Sequence, residues 1–144
     1  MNPKQEAEVL VNELLPLAKR MLSEFGEFYP YGGYMKLNGE IVHVGARDPK
    51  TAHPKSKDLI RILKRSFSEI AKNGQAKAIA IVFDVRISLP NSGDKTDAIQ
   101  VNVEHAGNYA AEIFFPYRVA NKEVIFGKTL AQEGEYEFFG HGKS

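Results

Sequence analysis

The sequence predicts an α+β domain built on one mainly antiparallel sheet. Two observations carry this. Two stretches repeat apolar residues at three- and four-residue spacing, as amphipathic helices do, and the remaining apolar runs alternate as half-buried strands do. The later runs are also joined by short turns, the mark of a meander.

The first helix starts at Asn2-Pro3, a capping residue followed by proline at the first helical position, and Glu6 and Glu8 suit the positive end of its dipole. Its stripe of Val9, Leu10, Leu14, Leu17, Ala18, Met21, Leu22 and Phe25 ends at Gly26, and Pro16 inside it predicts a kink. Asn38-Gly39 lies between Tyr34–Leu37 and Glu40–Val44, which predicts a two-residue type I′ hairpin. Residues 46–54 hold two prolines and read as a loop. Ser56 is the expected cap of a second helix whose buried stripe is Leu59, Ile60, Leu63, Phe67, Ile70 and Ala71.

Residues 78–89 form the most strand-like run, expected as a central strand. A polar loop (90–97) leads to 98–105, where Ile99, Val101 and Val103 alternate with Gln100, Asn102 and Glu104. Turns at 106–108 and 120–122 then separate strands at 109–118 and 123–130. Glu135–Phe139 alternates acid and aromatic and is expected as an edge strand, with a frayed end over 140–144. The order is helix, β-hairpin, helix, then an antiparallel meander of three to four strands. Both helices are expected on one apolar face.

Length and composition bound the rest. At 144 residues, 43% hydrophobic and 26% charged, the chain suits one domain spanning 1–144. It has no cysteine, which excludes disulfides, thiolate metal sites and cysteine nucleophiles. No signal-peptide pattern or long apolar run occurs, so the cytoplasm is the expected compartment, with no membrane partner. A net charge of +1 is too small for a general nucleic-acid binder. Charge is nonetheless uneven: residues 55–77 carry seven bases against two acids, whereas 78–144 carry nine acids against six bases. A surface polarised in this way can steer a charged partner.

The candidate chemistry is sparse. Asp84 and Arg86 share one strand face, and Glu104 approaches them if strands 78–89 and 98–105 are neighbours. Asp84 and Glu104 would then be an acid–base pair with Arg86 holding an anionic substrate. The competing reading is a set of cross-strand ion pairs on a solvated face. His105 is an auxiliary candidate, although Glu104, adjacent on a strand, cannot easily orient it. Asp94 and Asp97 lie in reach of a metal, but His43, His53 and His141 lack ligand spacing and no metal site or cofactor is expected. Phe28–Tyr34 gathers four aromatics around Pro30, Gly32 and Gly33, either a ligand- or partner-gripping loop containing Tyr31 or a structural plug. Pro116 demotes its strand to an edge or bulge, and Tyr117 and Arg118 beyond it are placed to meet an anion.

The stretches Glu27–Tyr34, Asn38–Ile41, Asp84–Arg86, Asp97–Ile99, Val103–His105 and Pro116-Tyr117 together resemble a family of small uncharacterised bacterial α+β proteins over most of the chain. In size, single-domain layout and lack of catalytic motifs the chain is also similar to immunity proteins of bacterial polymorphic toxin systems. That resemblance implies a non-catalytic module with a protein partner. Its contact residues are expected on the polar sheet face around Asp84, Glu104 and Glu112, with Arg86, Tyr31, Tyr117 and Arg118 as further binding candidates. Two alternatives stand beside it: a small enzyme using Asp84 and Glu104, and a domain holding a small apolar ligand between helices and sheet. Homo-oligomers through an edge strand are a further expectation.

Overall fold

The computed structural model describes residues 1–140; of the end expected to fray, residues 141–144, His141 among them, lie outside the described residues. Helix α1 (Pro3–Phe25) precedes strands β1 (Tyr31–Met35) and β2 (Ile41–Gly45). Helix α2 (Ser56–Lys72) precedes β3 (Ala78–Ser88), β4 (Lys95–His105), β5 (Tyr109–Ala120), β6 (Glu123–Phe126) and β7 (Leu130–Glu133). All pairings are antiparallel, in the order β2-β1-β3-β4-β5-β6, with β7 also on β5. This is the α+β fold that the sequence predicts.

Asn2 caps α1 through a reciprocal pair: its side chain accepts from Gln5 N–H at 2.8 Å, and Gln5 Oε1 accepts from Asn2 N–H at 3.0 Å. Gly26 ends the helix at φ 77°. At Pro16 the helix stays continuous, and the Tyr31 hydroxyl stands in its ladder, donating to the Leu14 carbonyl at 2.5 Å and accepting from Ala18 N–H at 3.0 Å. In α2 the cap is Lys55, without a side-chain bond, and Ser56 is the first helical residue rather than the cap.

The two helices lie on opposite faces of the sheet, not on one. Ala78, Ala80 and Val82 of β3 pack with α1, whereas Ile79 and Ile81 pack with Leu63 and Phe67 of α2. Gly32 and Gly33 make the double approach possible. A Cβ on Gly32 would sit 2.3 Å from the Ala80 carbonyl and 2.9 Å from the Phe67 ring, and one on Gly33 would sit 2.7 Å from Leu14. Helix α1 touches every strand from β2 to β6, so the sheet curls around it. Its concave face holds α1; its convex face carries α2, over β1 and β3.

Turn chemistry also departs from expectation. The 36–40 hairpin has a three-residue loop in which only Gly39 has positive φ (92°), closed by Gly39 N–H to the Lys36 carbonyl. The two-residue turn with both φ values positive is instead Asn121-Lys122, at 52° and 63°, between β5 and β6. Pro116 lies inside the sheet. It is tolerated because its carbonyl faces the outer side of β5 and accepts from Gly127 N–H, where β6 has ended and β7 has not begun. The run expected as one strand over 123–130 is therefore split. The edge strand expected at 135–139 is absent; the strand is 130–133, and 135–139 crosses the convex face as a strap.

Candidate functional site

The β3–β4 register pairs Asp84 with Ile99 and Glu104 with Ile79. Even-numbered residues of β3 therefore share a face with odd-numbered residues of β4. Asp84 and Arg86 face the concave side, and Gln100, Asn102 and Glu104 face the convex side. The proposed acid–base pair is thus not assembled: the two carboxylates lie on opposite faces, five rungs apart. The expected common acidic face falls with it, since Glu104 and Glu112 are convex and Asp84 is concave.

Glu104 is 3% exposed and fully engaged. Its carboxylate accepts from the backbone N–H groups of Glu137 (2.7 Å), Phe138 (3.1 Å) and Phe139 (2.6 Å), three consecutive donors converging on one anion. Phe138 meets Phe67 edge to face at 6.1 Å, and Lys64 pairs with Glu137 at 2.9 Å. Glu104 thus fastens the strap to β4, while Phe138 and Glu137 fasten it to α2. Glu112 accepts from the Gln132 amide at 2.8 Å.

His105 is buried on the concave face at the N-terminus of α1. Gly107 N–H donates to Nδ1 at 2.8 Å, which assigns the proton to Nε2, and Nε2 meets Glu6 Oε1 at 2.9 Å. Lys77 Nζ reaches the other Glu6 oxygen at 2.5 Å. The Lys77 and His105 bonds hold the Glu6 carboxyl below its ordinary value. Sequence reading assigns Glu6 only to the helix dipole, because its partners lie 71 and 99 residues away. The trio ties α1 to the sheet, with each member facing another.

The concave group at the other end of β3 is more open. Tyr117 donates to Asp84 at 2.8 Å, and Arg86 pairs with Asp97 at 3.2 Å. Loss of water and the nearby Asp97 charge raise the Asp84 pKa, against the Tyr117 bond, which lowers it. Burial and the Asp84 bond raise Tyr117. Asp97, the acid that does approach Asp84, is already matched to Arg86. Among the described residues no three acids or histidines converge on a metal position.

Tyr31 is buried, and burial pushes its hydroxyl up to about 12, against the Ala18 N–H bond. It forms the floor of an apolar groove of about 400 Å³ walled by Leu17, Met21, Phe25, Phe28, Pro30 and Ala46. Phe28 meets the Tyr31 ring edge to face at 6.0 Å, while Phe25 and Tyr29 stand at the rim, 68% and 54% exposed. The aromatic segment of the sequence thus supplies both the floor and the rim. Leu17, Met21 and Phe25, read from sequence only as helix core, complete the groove because Gly26 reverses the chain against the last turns of α1. A second groove, at the convex end of β5, contains Arg118.

Comparison with family models, curated proteins and solved structures finds no match. Among the described residues no helix is long and apolar enough to cross a membrane.

Proposed function

We propose that this chain is a non-catalytic protein-binding module whose contact site is the aromatic groove between the C-terminal half of α1 and the loop leading into β1. The observation that carries the reading is the pairing of a nearly all-apolar groove with two large exposed rings, Phe25 and Tyr29. Large rings at a desolvated pocket concentrate binding energy. The polar groups on and beside the sheet serve the fold instead: Glu104 the strap, Glu6 the His105–Lys77 pair, Asp84 the Tyr117 hydroxyl. Glu27 is the one acidic residue lining the groove and favours a basic group beside the partner's apolar anchor. Immunity to a toxin domain is one activity a module of this kind carries.

A photo-cross-linker placed at Tyr29 in the native cells tests the reading. The expected result is one dominant cross-linked protein, lost on Phe25→Asp and retained through a high-salt wash because the contact is apolar. Absence of any specific cross-link, or capture that depends on Asp84 and disappears in salt, contradicts it.

A further inference from the structure

We propose a second site, independent of the aromatic groove: the cleft where β5 loses its outer partner binds an aliphatic carboxylate, with Arg118 and Lys128 on the head group. The cleft encloses about 500 Å³ between the loop after β3 and the β6–β7 junction, a volume usual for small-molecule sites. It exists because the outer pairing of β5 is interrupted at 115–116, where residues 127–129, which belong to neither strand, lead from β6 to β7. Leu89, Pro90, Pro116, Ile125 and Leu130 give it apolar walls.

Two features fix the ligand chemistry. Arg118 and Lys128 line the cleft, both are exposed, and neither has an ion-pair partner among the described residues. Among the described residues no acidic side chain lines it, while Asn91, Ser92 and Thr96 add polar groups on the opposite wall. An anion is the complement of that set. An adjoining groove shares Pro90 and Leu130 and continues past Ile87 and Phe114 with no further cation among the described residues. One charged end followed by an apolar run matches a carboxylate with an alkyl tail. An extended peptide fits less well: it brings a backbone N–H and C=O at each residue, whereas two prolines of the wall have no N–H and the outer side of β5 is already paired with β6 and β7.

The test titrates decanoate, below its micelle concentration, into the intact chain by calorimetry and by amide chemical shifts. The expected result is saturable one-site binding, with shifts at Ser92, Ile125 and Leu130 and none at Leu17 or Phe28. Propionate should not bind measurably, and Arg118→Gln with Lys128→Gln should weaken decanoate at least about tenfold, equal to about 1.4 kcal/mol. Thermal melts of that variant should match the parent, since both side chains are exposed and unpaired. No saturable binding, equal affinity in the variant, or shifts confined to the aromatic groove would overturn the proposal.

Discussion

The two ends of the curled sheet are built to different rules. At the end beneath the N-terminus of α1, polar side chains are matched: Glu6 with Lys77 and His105, Glu104 with the strap. At the other end Tyr117 and Arg86 are still matched to Asp84 and Asp97, but among the described residues Phe25 and Tyr29 beside one groove have no ring partner, and Arg118 and Lys128 beside another have no ion-pair partner. Matched buried polar groups are costly to disturb and hold a fold, whereas half-exposed apolar and unpaired charged groups are available to something else. On the proposed reading, the difference separates the residues that keep this chain folded from those that bind.

The largest effect expected on the first set comes from Gly32→Ala. A Cβ there meets a backbone carbonyl, which no rotamer change relieves, so unfolding should cost about 4 kcal/mol less in chemical denaturation. Next is Glu104→Gln, which places an amide N–H against backbone donors. A loss of about 3 kcal/mol is expected, with faster hydrogen exchange at the amides of 137–139 and little change elsewhere.

Two carboxyls sharpen the comparison by pH. Glu6 is depressed below 4.5, so its stabilisation is complete above that value and drains away as pH falls through the lower folded pKa. Glu6→Gln should therefore cost about 1–2 kcal/mol at neutral pH, a difference that closes in strong acid. Asp84 has the opposite sign. Its pKa is raised above 3.8, so the folded state holds the proton more tightly and stability falls as pH climbs through that interval. Asp84→Asn keeps an acceptor for Tyr117 and should gain about 0.5 kcal/mol at neutral pH, with no gain below the ordinary carboxyl range. Thermal melts across pH distinguish the two signs.

Local signals in the sequence were sufficient for the existence of both helices and of the strands through β5, and insufficient for the faces and for the chain after β6. Asn2-Pro3, Gly26 and the apolar spacing bound α1, and the meander follows from turn residues close in sequence. The opposite placement of the helices had a readable signal: Ala78 to Phe83 is apolar at six consecutive positions, as a strand covered on both faces must be, before polar residues begin to alternate at Asp84. The acid–base hypothesis failed on parity, which only the observed register supplies. The role of Glu104 was beyond reach, because a carboxylate serving backbone amides 33–35 residues away leaves no pattern in side-chain identity. Those bonds also draw 135–139 off the sheet despite its strand-like alternation. The aromatic segment was recognisable as special, but sequence could not separate a plug from a contact surface; the exposure of Phe25 and Tyr29 supports the proposed contact role.

The claim that one end holds the fold while the other is left to bind is tested most directly by chemical denaturation of the double variant Phe25→Asp with Tyr29→Asp. If these rings serve contact, the free energy of unfolding stays within about 0.5 kcal/mol of the parent, as for other exposed positions. A loss of about 2 kcal/mol or more would make the rings part of the core and the aromatic segment a structural plug, contradicting the account.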